Sequence, residues 1–310
     1  MSYHVIDIST SGAQVSVKDE QLICRLPDGS MRKLPMEDVG AVLVNSFSAN
    51  LHSSFLISAA RYRVAVIVCD RFKPVSMVLP VQRATDTMLT RAQIEAPARL
   101  LREMWIKTVD AKCQNQYELL ERAAPDDVKA LRDFAITLNR SDASKEGNCA
   151  RLYWGALSRS LKINGFRRHR MGDGLNSLLN YGYAVLLMRI EQKLLACGLD
   201  PLYGMGHCPR ERSMPLAYDI MEPFRPFVDE MIIRWIKNID SECFADVMSV
   251  DASYKQYIQK MMLSKHRQGR ATLTLDMIVE RSIRTFRLAL TQGKGGRYQP
   301  WIRRNSRWVG

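Results

Sequence analysis

The stretch GMGHCPRERSMPLAYDIMEPFRP, Gly204 to Pro226, places an imidazole in a glycine-containing loop and then two carboxylates three residues apart. The carboxylates are Asp219 and Glu222, and positions i and i+3 share one side of a helix. Like charges so placed repel each other unless a cation lies beside them. Arg225 follows three residues later on the same face. One reading is an Asp219–Arg225 or Glu222–Arg225 ion pair on a wet surface; the other is a metal. Leu216, Ile220, Met221, Phe224 and Phe227 surround the pair and favour a sheltered helix. Glu146, at the start of EGNCARLYW, falls in the first turn of a helix, where an acid stabilises the positive end of the dipole. It also shares a face with Ala150 and with Tyr153 or Trp154, and a carboxylate on an inward face needs a partner. Cys208 stands next to His207 without a second thiol at ligand spacing, so zinc is a poor fit. The set Glu146, His207 and Glu222 offers hard oxygens and one imidazole, which suits Mg²⁺ or Mn²⁺ with open positions for water and phosphate. Such an ion can polarise phosphorus and stabilise the leaving oxygen of an in-line displacement.

The charge of the chain agrees with a polyanionic substrate. The 310 residues carry 45 Lys and Arg against 32 Asp and Glu, a formal net charge of +13, and 31 of the cations are Arg. Arg presents a planar fork matched to phosphate oxygens. Residues 1–80 account for only +1, so the excess lies in the remainder, as expected of a nucleic-acid-binding C-terminal part. Solvated surface charge is the alternative. The loop FRRHRMGDG groups Arg167, Arg168, His169 and Arg170. The segment Lys294–Gly310 has five basic and no acidic residues with Tyr298, Trp301 and Trp308 interleaved, the composition of a nucleic-acid arm or of a plain basic tail. Arg225, Arg167, Arg168, Arg170, Arg297, Trp301, Arg303 and Arg304 are the candidate DNA contacts. The seven cysteines form no CxxC pair, which points to free thiols in a reducing cytoplasm. No apolar run of eighteen residues suggests a membrane span, and the N-terminus lacks the pattern of a secretory signal.

The elements that must hold these groups divide the chain. Short Val- and Ile-rich segments (YHVIDI, AQVSV, QLICRL, VGAVLV, VAVIVCD and PVSMVLP) read as strands, with one helix in ANLHSSFLISAARYR. From about Val81 the hydrophobic period becomes helical. Pro125-Asp126-Asp127 signals a fresh helix start. NSLLNYGYAVLLMRIEQKLLACG is apolar on most sides and reads as a central buried helix capped by Gly198. Pro223 and Pro226 interrupt the helix that carries Asp219 and Glu222. The predicted fold is α+β in two domains: a small β-sandwich-like N-terminal domain with one helix over 1–80, a linker over 81–95, an α-helical catalytic domain over 96–293 and a basic tail over 294–310.

EGNCARLYW, LNSLLNYGYAVL, GLDPLYGMGH and LAYDIMEPFRPFVDE, in this order and spacing, closely resemble the CRISPR-associated integrase that inserts new spacers into a CRISPR array. The likeness spans nearly the whole chain, and the compact length is similar to members that accompany a single-protein RNA-guided effector, as in type II systems. The resemblance implies metal ligands at Glu146, His207 and Glu222, the last being Asp in many relatives, with Asp219 as a supporting acid. It also implies transesterification, in which the 3′-OH of a short DNA fragment attacks the backbone at a repeat boundary, and cleavage of branched DNA. The implied assembly is two homodimers, joined through the β domain, bridged by a small ferredoxin-like partner dimer. A DNA-repair nuclease without integration and a non-catalytic nucleic-acid scaffold are the alternatives.

Overall fold

The computed structural model describes residues 4–62, 64–70, 73–78, 87–140, 145–163, 166–169, 174–207, 214–238, 249–268, 271–303 and 306–309. The N-terminal part is built from two four-stranded sheets. β1 (His4–Ile8), β5 (Val39–Val44), β7 (Ala65–Asp70) and β8 (Lys73–Val78) form the first, parallel from β1 through β7 and antiparallel at β8. β4 (Met31–Pro35), β3 (Gln21–Arg25), β2 (Gln14–Lys18) and β6 (Asn50–Leu51) form the second in that order. The sheets and α1 (Ser53–Arg61) enclose Ile8, Val15, Leu22, Val42, Phe55 and Val66. The first sheet is covered on its other face as well, where Leu43, Ile67 and Cys69 meet Leu195 and Ala196. Burial on both faces explains why VGAVLV and AVIVCD are continuously apolar rather than alternating.

The rest of the chain is mostly helical, in agreement with the two-domain α+β expectation. α2 (Thr87–Ile94), α3 (Ala98–Ala123), α4 (Val128–Leu138), α5 (Lys145–Ser160) and α6 (Leu175–Ala196) are followed by α7 (Pro215–Met221), α8 (Arg225–Asn238), α9 (Ala252–Met262) and α10 (Leu275–Gln292). α4 starts where the acidic signal placed it: Asp127 is its N-cap and accepts from the Ala130 amide at 3.2 Å. α6 is the buried centre, with Leu178, Leu179, Leu186, Ile190 and Leu194 all inside and Gly198 beyond its end at φ +76°. Among the described residues no helix is long and apolar enough to cross a membrane.

Two features depart from the sequence reading. The segment expected as a linker is helical over Thr87–Ile94, because Leu89 and Gln93 turn inward and Gln93 bonds to both backbone groups of Asp200. The C-terminal segment is not a free arm. Trp301 is 5% exposed and stacks on Phe224 with ring centroids 5.3 Å apart, and Tyr298 packs edge-on against Phe286. Arg303 is buried against Glu230 as an ion pair. Ser306–Val309 then forms β11, antiparallel to β9 (Lys265–Gln268), which also pairs with β10 (Ala271–Thr274). Trp301 and Arg303 are therefore structural. Aromatic faces interleaved with cations served a packed segment here, since a ring that covers another ring leaves water as readily as one that stacks on a base. Of the remaining tail candidates, Arg297 is exposed and Arg304 lies outside the described residues.

Candidate metal centre

Three elements deliver the carboxylates and their partners to one place. Pro223 has no amide hydrogen, so the helix carrying Asp219 cannot run on unbroken; α7 ends at Met221 and Glu222–Phe224 forms a 3-10 turn before α8. That turn holds Glu222 inward, 3% exposed. α5 supplies Glu146 from its first turn. α3 runs between them and contributes Lys112.

Lys112 was not anticipated from sequence, and it is the organising group. Its Nζ lies 2.7 Å from Glu146 Oε1 and 2.6 Å from Glu222 Oε2. On the other side of Glu222, Arg225 Nε approaches Oε1 at 3.0 Å. Burial works to raise the Glu222 pKa, but Arg225 and Lys112 outweigh it and hold the carboxyl below its ordinary value. Burial likewise disfavours the Lys112 ammonium, yet Glu222 and Glu146 push its pKa up. The wet-surface reading of a Glu222–Arg225 pair is thus half right: the pair exists, and it is buried. Helical phase carried a faint signal for Lys112, which lies four residues after Thr108 and three before Asn115, both buried.

Asp219 turns to a different set of partners. Completely buried, it accepts the backbone amides of Met205, Gly206 and His207, the last two at 3.0 Å, and contacts His207 Nδ1 at 2.6 Å. The bond to Asp219 raises the His207 pKa against the opposing effect of burial. It also fixes the ring through Nδ1 and leaves Nε2 as the nitrogen available for a ligand. The indole of Trp105 closes the loop from above, edge-on to His207 at 5.5 Å. A Cβ at Gly206 would come within 2.2 Å of that indole. Gly206→Ala is expected to cost about 1–3 kcal/mol of stability by overpacking, and Trp105→Ala in the same chain should recover most of it. Denaturant midpoints of both single variants and the double variant check the coupling.

A second buried network lies under the basic residues. Tyr153 Oη donates to Asp229 Oδ2 at 2.7 Å and Tyr183 Oη to Asp229 Oδ1 at 2.5 Å. The Tyr183 ring has two guanidiniums against it, Arg225 at 4.9 Å and Arg168 at 5.4 Å from the centroid. Arg168 is further fixed by Asn176 Oδ1 at 3.0 Å and Asn180 Oδ1 at 2.8 Å. Arg167 is exposed, and Arg170 lies outside the described residues. Desolvation raises the Asp229 pKa to about 6, against the lowering effect of both tyrosine bonds. Between the ordinary 3.8 and about 6 the folded chain holds a proton there that the unfolded chain has lost. Stability from this group therefore falls as pH rises through that window, by up to about 3 kcal/mol in all, and is level above it. Asp229→Asn is expected to flatten this slope. Urea midpoints of both proteins at pH steps from about 4 to 8 test the difference in slope, whatever the absolute cost of the substitution.

The described residues contain no group of three His, Cys, Asp or Glu side chains already gathered as a metal site. Glu146 and Glu222 are brought together through Lys112, and His207 is held by Asp219. The residues nonetheless fit a hard cation. An ammonium already lies between the two glutamates, 2.7 Å from an oxygen of Glu146 and 2.6 Å from an oxygen of Glu222.

Comparison with known proteins then decides the family. The family model for CRISPR associated protein Cas1 matches residues 6–263. The chain belongs to the Cas1 family. A CRISPR-associated endonuclease Cas1 from Saccharolobus solfataricus is 30% identical over 249 residues, 77% of this chain and 77% of that protein. Among solved structures, a casposase bound to integration product superposes with a TM-score of 0.70 at 20% identity, covering 97% of this chain and 99% of the other. The Cas1 fold recurs also in a partial Cas6-RT-Cas1–Cas2 complex, with a TM-score of 0.76 at 17% identity and coverage of 97% and 99%.

Proposed function

We propose that this Cas1 chain is a metal-dependent DNA integrase and endonuclease that inserts short DNA fragments into a CRISPR array. The observation that carries the reading is the convergence of Glu146 and Glu222, from separate helical elements, on a single cationic nitrogen. Glu146, Glu222 and Nε2 of His207 would hold Mg²⁺ or Mn²⁺. When bound, that ion supplies Lewis-acid polarisation of the phosphodiester and charge stabilisation of its leaving oxygen. Asp219 keeps the imidazole oriented with Nε2 outward. Arg168 and Arg225, immobilised against Tyr183, offer fixed donors to phosphate oxygens beside the carboxylates. The nucleophile is the 3′-OH of the incoming fragment: a new oxygen–phosphorus bond forms, the backbone bond at the repeat boundary breaks, and no protein side chain is esterified.

The assembly follows the family. The β domain joins homodimers, and two of these are bridged by a small ferredoxin-like partner dimer. β8, the outer strand of the first sheet, exposes Val75, Met77 and Val78, an apolar edge suited to such a contact.

The test incubates the protein with a fluorescent 3′-OH duplex, a repeat-containing plasmid, Mn²⁺ and the partner. Joined products support integration. Cleavage alone, even with the partner present, would instead assign a repair nuclease. Glu146→Ala and His207→Ala are expected to abolish joining while DNA affinity is kept; a scaffold would lose nothing, having no reaction to lose.

A further inference from the structure

We propose that Lys112 is a resident counter-cation that occupies the divalent-ion position between Glu146 and Glu222, so that metal loading is an exchange of one cation for another. The inference rests on the metal site put forward above and concerns what that site holds before loading.

The contacts are those of an ion in a two-carboxylate seat. Nζ lies 2.7 Å from one glutamate and 2.6 Å from the other, the short range of charge-assisted pairs. Both contacts join a compact point charge to a carboxylate oxygen, and a spherical cation of higher charge can take the place of an ammonium in such a seat. Without Lys112, buried Glu222 would keep Arg225 as a counter-charge but would face the Glu146 carboxylate across the gap that the ammonium now fills. As the cluster stands, Glu146 and Glu222 are balanced by Lys112 and Arg225.

The two basic residues are not equivalent in this role. Arg225 holds the opposite oxygen of Glu222 and rests on the Tyr183 ring, so its guanidinium is pinned on two sides. Lys112 carries a compact charge on a flexible four-carbon stem, which can withdraw without disturbing α3. Glu146 is the open side of the seat: its side chain is 39% exposed, against 4% for Glu222, so the entering ion meets Glu146 first. An ammonium displaced from the seat stays beside it with Arg225, and the surplus positive charge so created favours a phosphodiester. The lysine would thus keep the carboxylates assembled when unloaded and release them only to a stronger cation.

The experiment measures Mn²⁺ binding to the full chain by calorimetry and by electron paramagnetic resonance, with no DNA present. Lys112→Gln is expected to bind Mn²⁺ at least about tenfold more tightly than wild type, since no ammonium competes. Its thermal midpoint should be lower than that of wild type without metal and rise more on Mn²⁺ addition. Equal or weaker Mn²⁺ affinity in Lys112→Gln, with Glu222→Gln losing binding, would overturn the exchange and leave the metal site standing. Unchanged binding in Glu222→Gln would overturn the site itself. Should Lys112→Gln fail to fold, wild type provides the second measurement: reductive methylation followed by peptide mapping. Lys112 labelling is expected to rise when Mn²⁺ is added, and an unchanged or reduced yield would overturn the proposal.

Discussion

Glu222→Gln is expected to lower strand transfer by about a hundredfold or more while leaving DNA affinity within about twofold. The neutral amide offers a poor ligand oxygen, so the charge stabilisation at the phosphodiester is lost. The Arg and Lys side chains proposed to meet DNA keep their charge. The same change leaves Arg225 without its carboxylate and Lys112 with only Glu146. Breaking a buried ion pair by removing one partner costs about 3–5 kcal/mol, so the unfolding midpoint should drop as well. The two effects separate cleanly in one experiment: joining, duplex affinity and denaturant midpoint are measured on the same preparation at a temperature where the variant is folded. Retention of joining above about a tenth of the wild-type rate would contradict the assignment of Glu222 as a ligand.

Asp219→Ala is expected to have the larger effect on the fold. This carboxylate is the acceptor for three consecutive backbone amides and for the His207 ring. Removing it strands those donors in a buried setting at about 1–3 kcal/mol for each that finds no water. The loop from Met205 to His207 would lose its only described acceptor for these groups, and the imidazole would lose its orientation. We expect a stability loss of several kcal/mol together with loss of strand transfer. Asp219→Asn is the informative companion. Its single carbonyl can retain part of the amide set but is a weaker acceptor for the Nδ1–H of the ring than a carboxylate, so Nε2 is less firmly oriented and less basic as a ligand and the variant should recover more stability than activity. Equal recovery of both would mean that Asp219 serves the loop and not the histidine.

Much of this architecture could be read from residue patterns, for identifiable reasons. The change from short β-branched runs to helical periodicity marks the two domains, because sheet and helix bury side chains with different periods. Pro223 located the break in the helix that presents Glu222, and Asp127 located the start of α4. What could not be read were contacts between elements far apart in the chain. Lys112 lies on α3, and nothing in TVDAKCQ distinguishes it from a solvated lysine except its phase relative to Thr108 and Asn115. Asp219 and Glu222 were expected to repel each other on one face. They instead point to unrelated partners, Asp219 to the loop before α7 and Glu222 to Lys112 and Arg225. Tyr153, Tyr183 and Asp229 form a network spanning α5, α6 and α8 that no local spacing encodes. The tail was misjudged because Trp301 and Arg303 have compositions suited equally to nucleic acid and to an interior that contains Phe224 and Glu230.

Asn115 ties that tail to the carboxylate turn. Its side-chain amide donates to the carbonyls of Pro223 at 2.7 Å and Trp301 at 3.0 Å, and its oxygen accepts from the Arg303 amide at 2.8 Å. Pro223 sits immediately after Glu222, so the segment around Trp301 and Arg303 acts as a brace for the first residue of that turn. Loosening of this brace would therefore reach the carboxylate turn through one neutral side chain that ties two distant stretches of the chain together.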